Sequence, residues 1–161
     1  MKTKDLVFIS IFTAIIFVLE QVLSFVPFFQ LTIFLLLICS KKLGLIKTLI
    51  VIIVHVLLDN LIGGFNIFYV IFMILGYSII PLVINLIFKK ENNIILLSLI
   101  GAVSSLIYCW ILIIPGCIVF NMTFQEYIIG DFVFELSMVL SSFVSTLVLY
   151  KPLEKIIDRF I

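Results

Sequence analysis

The chain has 161 residues, of which 65% are hydrophobic and 12% charged, with a formal net charge of +1. Soluble domains carry about 25% charged residues, so a water-soluble globular fold is excluded, because its surface could not hide this much apolar side chain. The length suits one compact bundle, read as a single domain over residues 1–161 with no separate soluble domain.

Lys2 and Lys4 open the chain, and the first apolar run extends over about Lys4 to Phe25, near the roughly 20 residues a bilayer crossing needs. No small-x-small cleavage site follows, so the run reads as an uncleaved first helix rather than a removed signal peptide. Pro27 ends it, because the residue before a proline disfavours helix. The second apolar piece, Phe28 to Cys39, is short, since about a dozen residues rise only ~18 Å. It is tilted, partly re-entrant, or served by a thinned or protein-lined environment. Helix three is expected over about Leu43 to Leu61, ending at the turn signal Gly63-Gly64. Helix four is expected over about Phe65 to Phe88, with Pro81 predicted to kink it. Helix five should cover about Asn93 to Phe120, loosened at Pro115-Gly116, and helix six about Gly130 to Tyr150. Beyond Lys151-Pro152, the residues Leu153, Ile156, Ile157 and Phe160 alternate with charges at helical spacing, which predicts a tail lying on the membrane surface. The sequence has no internal repeat, low-complexity linker or GxxxG.

All ten Lys and Arg fall in four short places: Lys2 and Lys4; Lys41, Lys42 and Lys47; Lys89 and Lys90; Lys151, Lys155 and Arg159. The intervening connections, around Ser24–Gln30, Gly63–Asn66 and Asn121–Asp131, carry no positive charge. Short cytoplasmic loops are enriched in Lys and Arg, and that bias sets orientation. The expected fold is therefore an all-α integral membrane bundle of six transmembrane helices, the second one short, with both termini cytoplasmic. It belongs in a cell membrane as a multi-pass protein.

Orientation sorts the nine acids. Asp5, Glu91, Glu154 and Asp158 sit beside the lysines. The other five, Glu20, Asp59, Glu126, Asp131 and Glu135, collect in the outer third without a base among them. Acids inside membrane helices are costly and face a cavity or a partner, so Glu20 and Asp59 are expected to line an outward-facing pocket. Glu126 and Asp131 can equally be cap or rim residues, since the helix macrodipole favours negative charge at an N-terminus. Asp131 and Glu135 share a helix face, and Glu135 is the expected ligand contact of the two. Asn60, Asn66, Tyr69, Tyr108, Trp110 and Asn121 are the other polar or amphipathic side chains of the outer half. Tyr and Trp belong by default to interfacial belts; as a group beside acids they offer stacking faces and amide hydrogen bonds. The candidate pocket comprises Glu20, Asp59, Asn60, Asn66, Tyr69, Trp110, Asp131 and Glu135, and its chemistry suits a small, flat, cationic or amine-bearing nutrient.

His55 and Asp59 share a helical face at i, i+4, expected as a hydrogen-bonded pair that orients Asp59 or packs helices. A transition-metal site needs three or four ligands, and His55 is the only histidine, so no metal is expected. Cys39, Cys109 and Cys117 read as buried small hydrophobes rather than a disulfide framework. The sequence has no G-x-x-x-x-G-K-[ST], no Ser/His/Asp set and no HExxH, which points away from an enzyme and from ATP binding by this chain.

Several stretches, in order and over nearly the whole length, resemble the substrate-binding (S) component of an energy-coupling factor (ECF) transporter. They are KDLVFISIFTAIIFVLEQ after a basic start, VPFFQLTIFLLL leading the short second element, SKKLG entering helix three, VLLDNLIGGF closing it, and GDFVFE to YKPL bounding helix six. The resemblance implies capture of a vitamin or its precursor near the outer surface of a bacterial cytoplasmic membrane. It also implies partnership with a transmembrane coupling protein and two ABC ATPase subunits. The family's A-x-x-x-A motif on helix one, which meets the coupling protein, corresponds to Ser10-Ile-Phe-Thr-Ala14, with Ser in place of the first Ala. Small residues at that spacing still permit close helix contact, either with the coupling protein or within the bundle. Two other readings are a rod-shape-determining membrane scaffold and a small intramembrane aspartyl peptidase. The clustered outer acids argue against the first, and the missing motifs against the second.

Overall fold

The structure, a computed structural model, describes residues 3–23 and 29–159. These form six helices: α1 (Thr3–Leu23), α2 (Thr32–Leu43), α3 (Leu45–Gly63), α4 (Ile67–Leu86), α5 (Ile94–Phe120) and α6 (Phe124–Ile157). All but α2 are long and apolar enough to cross a membrane, which marks a multi-pass membrane protein. Phe28, the expected start of the second helix, and Phe160 lie outside the described residues.

The short α2 stands in the middle. From Thr32 to Ser40 every residue is buried, as expected of a helix that is apolar on all sides. Around it α1 packs on α3, α3 on α4, α4 on α5 and α5 on α6, and α2 touches each of the five. Of the expectations for the short element, a protein-lined environment is the one observed. Among the described residues the ring is not closed, because α1 and α6 do not pack on each other.

Three sets of polar ties gather the Lys-rich end. Lys47 Nζ reaches Asp5 Oδ1 at 2.6 Å, joining α3 to α1. Lys42 Nζ meets Glu154 at 2.9 Å and Asp158 at 2.7 Å, joining α2 to α6. Lys41 Nζ donates to the carbonyls of Phe88, Lys89 and Glu91 just past the end of α4. Helices therefore alternate in direction, and the two ends of the described chain lie at the same end of the bundle.

Two boundaries differ from expectation. Thr123 caps α6 and exchanges bonds with Glu126 in a capping box, so the helix starts at Phe124 rather than near Gly130. Its far end runs on through Pro152 rather than breaking into a surface tail. A proline in a last turn loses one hydrogen bond, while Leu153 and Ile157 pack on the core and Glu154 and Asp158 reach Lys42. Leu153, Ile156 and Ile157, expected on the membrane surface, thus complete α6. α4 likewise continues through Pro81.

One residue, Gly44, reverses the chain between α2 and α3, with φ +80° and ψ 179°. That region is essentially closed to residues with a Cβ and costs about 1–3 kcal/mol. Gly44→Ala is expected to destabilise the bundle by that amount, read as a lowered thermal unfolding midpoint in detergent. An unchanged midpoint would show that the turn relaxes at no cost.

Candidate functional site

At the end opposite the lysine ties, the centre of the bundle is open. A cavity of about 650 Å³ lies above the first residues of α2, between α1, α3 and α6. Its volume is within the roughly 300–1,000 Å³ of small-molecule sites. Glu20, Gln21 and Leu23 come from α1, and Asp59, Ile62 and Gly63 from α3. Gly130, Val133, Phe134 and Ser137 come from α6 at i, i+3, i+4, i+7, the spacing of one helix face. Phe29, Gln30, Leu31 and Thr32 form the floor. Every charged residue on these walls is an acid.

The floor is fastened to α6. The Gln30 N–H donates to Ser141 Oγ at 2.9 Å, and the same hydroxyl donates to the Gln30 carbonyl at 2.7 Å. Sequence reasoning missed Gln30, Ser137 and Ser141. Ser141 is one of many serines in apolar helix, and nothing local distinguishes it from Ser142, whose buried hydroxyl has no partner.

The two deep acids are held differently. Gln21 Nε2 donates to Asp59 Oδ1 at 3.1 Å. Glu20 Oε2 lies 2.8 Å from Nε2 of His55, which is fully buried. That separation is an ion-pair distance, yet the approach is misaligned for a hydrogen bond and neither ring nitrogen has an aligned partner. The contact is a close approach of the two groups rather than an aligned hydrogen bond. His55 therefore pairs with Glu20 on the neighbouring helix, not with Asp59 one turn away as the i, i+4 spacing suggested. Behind His55 stand Tyr77, with ring centroids 6.2 Å apart, and Tyr108, stacked on Tyr77 at 4.1 Å.

Of the eight expected pocket residues, the cavity brings Glu20 and Asp59 together and leaves six elsewhere. Asn60 is buried, donating to the Val56 carbonyl at 2.9 Å and touching Met73 Sδ across the α3–α4 contact. The Asn66 side chain accepts from the N–H groups of Phe68 and Tyr69, capping α4. Tyr69 packs edge-on against Phe120. Trp110 Nε1 donates to Glu135 Oε1 at 2.7 Å in a separate groove between α5 and α6. Asp131 lies one turn before Glu135 and off the cavity face of α6. Glu126 serves its own helix cap. Among the described residues, no three His, Cys, Asp or Glu side chains gather to hold a metal.

A second groove, of about 900 Å³ and lined almost wholly by apolar side chains of α1, α2 and α6, continues the open α1–α6 seam toward the Lys-rich end. Leu31 lines both it and the cavity. On another face of α1, Ser10 and Ala14 are exposed beside Leu6 and Val18. These two small residues are not used for packing within the bundle. Comparisons with protein families, curated proteins and solved structures find no match for the chain.

Ser141→Ala removes both bonds to Gln30 and leaves its N–H unsatisfied, a cost of about 1–3 kcal/mol. The thermal midpoint of Ser141→Ala is expected to fall while that of Ser142→Ala stays near wild type. Equal effects of the two substitutions would mean the floor is not held by Ser141.

Proposed function

We propose that this chain is the substrate-capture subunit of an energy-coupling factor importer in a bacterial cytoplasmic membrane. It takes up a vitamin, vitamin precursor or similar small nutrient that is aromatic and bears an amine or another cation. In this reading it crosses the membrane six times with both termini cytoplasmic, which the distribution of lysines supports. The observation that carries the proposal is the cavity itself. Glu20 and Asp59 present carboxylates from two helices into a space of ligand size whose walls hold no basic side chain. Two carboxylates taken into an apolar bundle outnumber the one imidazole beside them and favour a cation from outside. Phe29 and Phe134 on the walls add aromatic surface for a flat ring or a cation.

Transport needs partners in this reading: a transmembrane coupling protein and two ABC ATPase subunits. The exposed Ser10 and Ala14 support α1 as the contact, since small residues let another helix approach closely.

Calorimetry of the purified chain against amine-bearing vitamins and precursors tests the capture role. Glu20→Gln and Asp59→Asn should each weaken binding by about 1.5–3 kcal/mol, roughly ten- to hundredfold. Glu135→Gln, off the cavity, should leave it unchanged. Retention of affinity in both cavity variants would overturn the reading. Coupling has its own assay. Replacing Ser10 and Ala14 by Leu should abolish copurification with the ATPase subunits and spare ligand binding, whereas undiminished copurification would remove α1 from the contact.

A further inference from the structure

The open seam between α1 and α6 is an apolar groove of about 900 Å³ with α2 at its back. Val7, Ile11 and Ile15 form one wall at i, i+4 spacing, and Leu149, Leu153 and Ile156 the other. From Lys4 to Leu19 the α1 wall rises about 22 Å. That is more than half of the roughly 30 Å hydrocarbon core, so the groove runs the depth of one leaflet from the Lys-rich end.

The lining constrains what fills this space. Helices that associate in membranes meet through Gly, Ala, Ser and Thr, which let two backbones approach. Among the described residues that line the groove there is none of these; apart from Lys4 and Pro152, all are Val, Leu, Ile or Phe. Walls of bulky apolar side chains suit a flexible hydrocarbon chain better than a helix about 10–12 Å across.

The mouth supplies the charge. Lys4 lines the groove, its Nζ 5.8 Å from the centre of the Phe8 ring, which lines it too. Lys155 and Arg159, both exposed, follow the groove residues Pro152 and Ile156 by one turn each. The acids of the same segments are directed elsewhere, Asp5 to Lys47, and Glu154 and Asp158 to Lys42. With those two lysines counted, the bases at this mouth outnumber the acids five to three.

We propose that the α1–α2–α6 groove seats one anionic phospholipid, its phosphate at Lys4, Lys155 and Arg159 and an acyl chain along the seam. Basic pockets between membrane helices on the cytoplasmic side hold anionic headgroups in this way. Orientation with the lysines in the cytoplasm makes the inner leaflet the source. The chain's tip reaches Leu19 and Leu31, and Leu31 is shared with the cavity. A seated lipid thereby fills the gap that α1 and α6 leave and walls the cavity from the bilayer. Nothing in this seating depends on what the cavity binds, so the lipid site and the capture role stand or fall separately.

Native mass spectrometry of the full chain counts seated lipids, with phosphatidylglycerol or phosphatidylcholine of identical chains added to the detergent. One phosphatidylglycerol is expected to be retained, at about a tenth of the concentration phosphatidylcholine needs, the worth of one to two basic contacts. Lys4→Gln, Lys155→Gln and Arg159→Gln combined should bring the two lipids level. Fluorescence in bilayers reads the location. Trp110 is the only tryptophan, so in a Trp110→Phe background Ile11→Trp reports brominated chains in the groove. Leu75→Trp, on the exposed face of α4, is its match in ordinary surrounding lipid. A small fraction of brominated phosphatidylglycerol in phosphatidylcholine should quench Ile11→Trp well beyond Leu75→Trp, an excess that the triple substitution removes. Equal retention of the two lipids by the wild type overturns the anionic site. Equal quenching at the two positions overturns the groove as its seat. A preference that survives the triple substitution takes the phosphate away from these three bases.

Discussion

The organising constraint of this bundle is that its central helix is too short to fill it. α2 has 12 residues, about 18 Å of rise, whereas its neighbours α1, α3 and α4 have 21, 19 and 20, about 28–32 Å. The lysines pin α2 to one end. Lys41 and Lys42 bind the end of α4 and the last turns of α6, and Gly44 turns the chain straight into α3. All the missing length therefore falls at the opposite end. About 10–14 Å of the bundle's axis is left without a central helix there, and the space is the cavity whose floor is Leu31 and Thr32. The site is a consequence of helix length before it is a consequence of any polar residue.

The same architecture leaves one seam unsealed. α1 is tied to α3 at both ends, by Asp5–Lys47 and by the Glu20–His55 and Gln21–Asp59 contacts. α6 is tied to α2, to α5 and to the cavity floor. Among the described residues α1 and α6 do not pack on each other, and the cavity and the apolar groove both open along that line. Glu20 stands where these features meet. It belongs to the α1–α3 clamp and to the cavity wall, so a ligand that engages it also bears on how α1 is held.

Much of this was legible in the sequence. Four of the five long apolar runs gave helices within a few residues of their expected spans, while α6 extends well beyond its span at both ends, and the lysine clusters foretold which loops share an end. The acids were harder. Glu20 and Asp59 stood out because each interrupts an apolar run, and they do share a site. Asp131 and Glu135 were grouped with them because all four belong to one end of the bundle, but position along the axis says nothing about position around it. The phase of α6 turns Gly130, Val133 and Ser137 to the cavity and the two acids away from it. Partner choice was hidden for a related reason. An i, i+4 rule proposes Asp59 for His55 from within one helix, while the nearer carboxylate arrives from α1, 35 positions earlier. Serines such as Ser141 are invisible to pattern, because their role depends on a backbone group more than a hundred residues away.

The proposed capture role requires that the cavity be the ligand's port of entry, open away from the lysine-rich end. Ser137, on the cavity face of α6, reports this directly as Ser137→Cys in a chain whose three native cysteines are replaced. In intact cells, a membrane-impermeant thiol reagent added outside should label that cysteine. An aromatic amine that binds should slow the labelling, and a cysteine at Lys90 should react only after the membrane is permeabilised. Labelling of Ser137→Cys only from the cytoplasmic side, or at a rate the amine does not alter, would contradict the account.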